Sequence, residues 1–213
     1  GTIDVLDLKL VDIQKRFYKK DYKKYAETMD TETLDERYNE SARMCGECAF
    51  QYVKKVIELA LNQEVDATVT NALNKEHINM AGHHYSGHTE IYAYYTNTPQ
   101  YTMMLAHANV RVVHVSTTVS LREACDRVKK ARVLECIRIA NEGCKSLGIE
   151  KPKIGVAGLN PHCGEHGMFG REEMEEIQPA IDVALEEGIC IPEKAPTPPD
   201  TGFSKELGGW YDI

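Results

Sequence analysis

Apolar residues recur at helical spacing most clearly over residues 43–62, where Phe50, Val53, Ile57 and Leu61 share one face and predict an amphipathic helix. The following Val65-Asp-Ala-Thr-Val-Thr70 is a short β-branched run and reads as a strand. Two more strands are expected at residues 101–107 and 111–116, joined near Ala108-Asn109. Ser120-Leu-Arg-Glu123 has capping-box spacing. It opens a long helix whose apolar face runs through Ala124, Val128, Ala131, Leu134, Ile137 and Cys144 and which stops at Leu147-Gly148. Lys153-Ile-Gly-Val-Ala157 is a further strand, followed by a glycine-rich loop over 158–170. Residues 171–187 form a helix with an acidic first turn, a kink at Pro179 and a stop at Gly188, and 192–199 is extended. Strands alternating with helices after residue 43 predict an α/β fold with a three-layer sheet.

Ahead of that region the pattern weakens. Val5, Leu6, Leu8, Leu10 and Val11 make an extended, strand-like lead. Residues 15–43 are crowded with charge and tyrosine and read as an exposed, partly helical insertion, basic first and acidic around 30–36. The expected division is therefore 1–42, a leading strand plus charged insertion, and 43–213, the central α/β part.

Composition narrows the function classes. With 42% hydrophobic and 27% charged residues over 213 positions, the chain matches a soluble globular protein large enough for its own core. No run of apolar residues is long enough to span a membrane, and the N-terminus has no basic-then-apolar leader, so a cytoplasmic location is expected. The net charge of −8, from 33 acids against 25 bases, opposes general nucleic-acid binding but leaves room for a local pocket that takes one small anion. Seven cysteines without a secretory signal read as reduced thiols; Cys45, Cys125, Cys136, Cys144 and Cys190 look like small core residues. Cys45-Gly-Glu-Cys48 has no second pair for zinc and sits at a helix start, which weakens a metal or redox reading.

Polar residues gather in two segments. The first runs from Thr70 through Asn74-Lys-Glu to Ala81-Gly-His-His-Tyr-Ser-Gly-His-Thr-Glu90. Asn74, Lys75, His88 and Thr89 together present donors suited to a phosphate or carboxylate. The competing reading is a helix start at Asn74 and a histidine-rich surface loop, with Glu90 and His83-His84 weaker candidates. The second is the 158–170 loop, whose glycines permit close backbone approach and whose His162, Glu165 and His166 are candidate metal or acid–base groups. It contains no zinc signature and no dinucleotide-binding Gly-x-Gly-x-x-Gly.

Taken together, Asn74-Lys-Glu, Ala81-Gly-His-His-Tyr-Ser-Gly-His-Thr-Glu-Ile-Tyr92, Val156-Ala-Gly-Leu-Asn-Pro-His-Cys-Gly-Glu-His-Gly-Met-Phe-Gly-Arg-Glu-Glu173 and Pro198-Pro-Asp-Thr201 closely resemble the 4-hydroxythreonine-4-phosphate dehydrogenase (PdxA) family. His114-Val-Ser-Thr-Thr-Val-Ser-Leu-Arg-Glu123 looks more like the branch acting on 4-phospho-threonate or 4-phospho-erythronate. The resemblance covers about residues 1–11 and 43–213. It implies an α/β/α fold similar to isocitrate and isopropylmalate dehydrogenases, a homodimer with an interdomain site, and NAD or NADP with a divalent metal (Zn, Mg, Mn or Co). The implied reaction is oxidation of a 4-phosphorylated four-carbon 3-hydroxy acid followed by decarboxylation, in which a metal acidifies the hydroxyl and stabilises the enolate.

By motif, His88 and Thr89 resemble the family's substrate-binding pair, Asn74 and Lys75 lie in a matching loop, and His162 resembles one of three metal-binding histidines. Thr118 occupies the place of a second; His114 lies four positions earlier, roughly 13 Å away at strand rise. The family's N-terminal Met-Gly-Asp-Pro-Ala-Gly-Ile-Gly and its Tyr-His-Asp-Gln-Gly segment are not present. The expectation is thus a metal site incomplete in this chain and a fold incomplete at both ends. The alternative is a non-catalytic phosphate-ester-binding or dimerisation module of the same descent.

Overall fold

The computed structural model describes residues 6–213 and divides between Pro99 and Gln100 into two compact units. Part of the expected leading strand lies outside the described residues, and residues 6–12 form none.

In the first unit, a short helix α1 (Tyr22–Tyr25) precedes the 31-residue helix α2 (Thr31–Leu61). The expected helix therefore begins twelve residues before Arg43, because Asp30 accepts a hydrogen bond from Thr33 N at 2.7 Å and caps it. The foreseen boundary after residue 42 falls within this helix. Its inner face buries Phe50, Val53 and Ile57, as the periodicity predicts, against Ile78 of α3 (Lys75–Met80) and Ile91 of α4 (His88–Tyr95). Leu61, on the predicted stripe, is exposed. Gly46 permits the close packing: a Cβ there would lie 2.0 Å from His77 O.

The strand expected at Val65–Thr70 is absent. Val69 is 94% exposed, and no strand among the described residues of this unit offers an edge to pair with. A β-branched run without a partner stays irregular, since β propensity acts through cross-strand packing.

In the second unit, β1 (Met104–His107) and β2 (Val110–Val113) form an antiparallel hairpin in the register Met104↔Val113, turning at Ala108-Asn109 as expected. Ser120 caps α5 (Leu121–Arg127), accepting from Glu123 N at 3.2 Å. The single long helix expected from Ser120 breaks at Val128, and α6 (Lys130–Ser146) starts anew. Glu176 explains the break: its carboxylate accepts from Lys130 N at 2.7 Å and pairs with Lys129 Nζ at 3.1 Å, satisfying the new helix start from another element.

Residues 153–157 form isolated parallel bridges, Lys153 to Cys190 and Ala157 to Thr197, instead of a full strand. Beyond the glycine-rich loop, a π-helical turn at Glu173–Ile177 leads into α7 (Gln178–Glu186). Pro179, which has no N–H to donate, sits at the start of α7, and Gly188 ends the segment at φ +82°. A helix without a sequence prediction, α8 (Pro199–Leu207), follows. The unit is an α/β arrangement around a core of Val133, Leu134, Ile137, Ile154, Ile177 and Ile181 with their neighbours. Cys136 and Cys144 are buried as expected, whereas Cys125 and Cys190 are exposed; both lie outside the packed faces of their segments. Among the described residues no helix is long and apolar enough to cross a membrane.

Candidate functional site

Four of the six candidates lie in the first unit, at two successive helix starts. Asn74 is the N-cap of α3: its Oδ1 accepts from His77 N at 3.1 Å, so the helix-start reading holds and this side-chain oxygen is engaged in capping. Lys75 is the first residue of α3. Its chain reaches the start of α4, where a Cβ on Gly87 would lie 3.7 Å from Lys75 Cε, 4.0 Å from Lys75 Nζ and 3.6 Å from Glu90 Oε2. Gly87 has no side chain to cap α4, so the first N–H groups of His88 and Thr89 stand at an uncapped terminus beside both the Lys75 ammonium and the Glu90 carboxylate.

His88 has the most telling environment. Its Nε2 is buried and without a hydrogen-bond partner. Burial pushes its pKa below the ordinary value, so the neutral imidazole is favoured at pH 7. The ring borders a cavity of about 310 Å³ whose walls are Ala49, Tyr52 and Val53 of α2 together with Thr70, Asn71 and Leu73. A buried imidazole nitrogen without a partner costs free energy unless a ligand or water satisfies it.

The approach to α4 is braced from α2. His83 Nε2 is 2.6 Å from Glu47 Oε2, and its ring stacks on Phe50 with centroids 3.6 Å apart. The Gln51 amide and His83 hold the Glu47 carboxyl below its usual pKa. His83 is thus a structural brace, and His84 bonds Asn79 at 3.0 Å.

The other two candidates lie in the second unit. His162 is exposed and precedes the turn Cys163–Gly167; Thr118 is exposed in a left-handed conformation at φ +48°. Among the described residues no group of three or more His, Cys, Asp or Glu side chains is placed to hold a metal ion. The donor set present therefore does not fit a divalent metal. Cys48, of the Cys-x-x-Cys pair, is buried, its Sγ donates to Leu10 O at 3.3 Å, and burial raises its pKa, which disfavours the thiolate a metal needs.

The second unit's cavity of about 320 Å³ is lined largely by core residues such as Val133, Ile137 and Ile154, and none of the six candidates borders it. Its lining is that of a gap in the core. Glu173, in sequence one acid of the turn that opens residues 171–187, packs against the loop that follows His162. It is 3% exposed and accepts from Asn160 N at 2.8 Å. Its period is the available signal, since Glu173 stands on the face of Ile177, Ala180 and Ala184, all buried.

The sequence model of a family described as "Pyridoxal phosphate biosynthetic protein PdxA" matches residues 2–213. A putative D-threonate 4-phosphate dehydrogenase of Oceanobacillus iheyensis is 42% identical over 96% of this chain and 64% of its own length. The D-threonate 4-phosphate dehydrogenase of Salmonella typhimurium is 44% identical over 79% of this chain and 51% of its own. The crystal structure of a 4-hydroxythreonine-4-phosphate dehydrogenase from Klebsiella pneumoniae superposes with a TM-score of 0.74 at 38% identity, covering 80% of this chain and 52% of that one. The chain thus spans about half to two thirds of the length of these relatives.

Proposed function

The chain belongs to the PdxA family, and on that premise we propose that it carries the substrate-phosphate subsite of an NAD(P)-dependent dehydrogenase for a 4-phosphorylated four-carbon hydroxy acid. Phospho-threonate, phospho-erythronate and hydroxythreonine phosphate share the group this subsite would grip. The observation that carries the reading is the buried, unpartnered Nε2 of His88 at an uncapped helix start beside Lys75. A phosphate or carboxylate oxygen there would accept from His88 Nε2–H and from the first backbone N–H groups of α4, with the ammonium adding charge. Thr89 adds a hydroxyl at the same terminus, and Asn74 contributes through the helix start it caps.

The reading extends to the redox chemistry of the family. A bound nicotinamide would supply the hydride acceptor for oxidation of the secondary alcohol, and the β-keto acid so formed would lose CO₂. A single imidazole at His162 does not hold a divalent ion firmly, so metal assistance in this reading calls for further donors. A homodimer and a cytoplasmic location belong to the proposal on the same family grounds.

Isothermal titration with 4-phospho-D-threonate, 4-phospho-D-erythronate and 4-hydroxythreonine phosphate tests the subsite, with NADH formation followed on the same samples. Binding weakened at least tenfold in His88→Ala and in Lys75→Ala is expected. No binding of any of the three esters to the unaltered chain would sink the proposal. Binding without NADH formation would favour the non-catalytic phosphate-ester module.

A further inference from the structure

The turn after His162 is conformationally costly. Cys163, Glu165 and His166 take φ values of +53°, +49° and +55°, with Gly164 at +72° and Gly167 at +95° between and after them. Five successive left-handed residues, three of them bearing side chains, persist only where the surroundings over-determine them. Glu173 supplies that surrounding.

Its carboxylate is buried between glycines of the loop. Oε1 accepts from Asn160 N at 2.8 Å, and it would stand 3.3 Å from a Cβ on Gly158. Oε2 would stand 3.0 Å from a Cβ on Gly164, and no hydrogen-bond partner reaches it. Asn160 in turn roots the turn, because its carbonyl accepts from Cys163 N at 3.0 Å, and the carbonyl of His162 accepts from Glu165 N at 3.3 Å. The thiol of Cys163 closes the other side, donating to Pro196 O at 3.5 Å. A carboxylate is an unusual core residue, and one whose second oxygen is left bare would be replaced by an amide or an apolar group if packing were its sole task.

We propose that Glu173 is a positioning residue: by accepting from Asn160 N–H inside the glycine cradle of Gly158 and Gly164, it holds the left-handed turn and so sets where the His162 imidazole stands. The assignment rests on the reading that the His162 loop serves the dehydrogenase site, and it adds to that reading a residue that supports the loop from the segment after it. Glu173 acts through the backbone of the loop and touches no reacting atom.

The test compares Glu173→Ala, Glu173→Gln and Gly164→Ala in this chain, by amide hydrogen exchange and by proton–carbon spectra of the His162 imidazole. Glutamine keeps a carbonyl oxygen for Asn160 N–H, whereas alanine keeps none. Glu173→Ala is expected to speed exchange at least tenfold across residues 160–170 and to shift the His162 signals. Exchange across residues 130–146 should stay at the wild-type rate. Glu173→Gln should restore both readouts, a rescue that a general loss of packing would not give. Gly164→Ala strains the left-handed turn directly, its Cβ meeting Gly170 O at 2.9 Å as well as Glu173 Oε2 at 3.0 Å, and should show the His162 shift that a displaced loop gives.

Unchanged loop exchange and His162 signals in Glu173→Ala overturn the assignment, as does failure of glutamine to rescue. Should Glu173→Ala not fold, Glu173→Asp, which keeps the charge but draws the carboxylate back from Asn160 N–H, decides, and wild-type loop exchange with a wild-type His162 spectrum there overturns it. Titration with inorganic phosphate, with His88→Ala as reference, reports on the first unit. Absence of binding there counts against the subsite reading and leaves the Glu173 result standing.

Discussion

His88 joins two demands that oppose each other in a stable fold: an imidazole packed against apolar walls and a ring nitrogen with nothing to bond. Its folded pKa lies below the ordinary 6.5, so above that value both folded and unfolded forms carry a neutral ring and the group adds no pH dependence. As pH falls below 6.5, the unfolded chain takes up the proton first, and stability is lost until the folded pKa is reached. A melting series from pH 7.5 to pH 5 should therefore show a smaller loss of thermal midpoint in His88→Gln than in the wild type. Equal losses would mean that the ring is hydrated and freely protonated, and the subsite argument would lose its main support. The same residue shows what composition could not supply. A histidine-rich loop was equally readable as surface, and what distinguishes His88 is a buried Nε2 without a partner, whereas His83 is braced by Glu47 and Phe50 and His84 bonds Asn79.

Elements with an unbroken apolar period were legible: the buried face of α2, the hairpin around Ala108-Asn109, the cap at Ser120 and the stops at Gly148 and Gly188 follow from spacing and local chemistry. Failures came where a distant group decides. Val65–Thr70 has β-branched residues but no strand to pair with, and the break at Val128 depends on Glu176, forty-eight residues further on, which no local pattern announces. Two consequences are measurable. Ser120→Ala removes the side-chain acceptor at α5 and should cost about 1 kcal/mol in denaturant unfolding. Gly46→Ala should cost more, about 1–3 kcal/mol, because its Cβ would meet the His77 carbonyl and force α3 away from α2. Since Lys75 begins α3, Gly46→Ala should also weaken phosphate-ester binding, and a variant destabilised but unaltered in affinity would separate the packing from the subsite.

Over the whole chain, chemistry and packing are distributed unevenly. The anion-suited residues Asn74, Lys75, His88 and Thr89 belong to the first unit; His162, Thr118 and the strained glycine loop belong to the second. The family motifs were readable in sequence because each is contiguous, whereas a metal group must be assembled from several segments, and the described residues assemble none. The two hydrophobic clusters share no residue: one runs over Phe50, Val53, Ile57, Ile78 and Ile91, the other from Val128 to Ile213. Trp210, the single tryptophan, stands in the second unit beyond α8, where its backbone N–H donates to Lys205 O at 2.9 Å. Its fluorescence therefore reports on the second unit, while far-UV circular dichroism takes in the 31 residues of α2 together with the helices of the second unit. Changes without shared partners act additively on the parts they touch. Gly46→Ala should thus lower the dichroism midpoint in urea and leave the Trp210 midpoint where it is in the wild type. Equal shifts in both signals would show that the two clusters unfold as one cooperative body, and a substrate held in the first unit would then stabilise the His162 loop of the second by mass action.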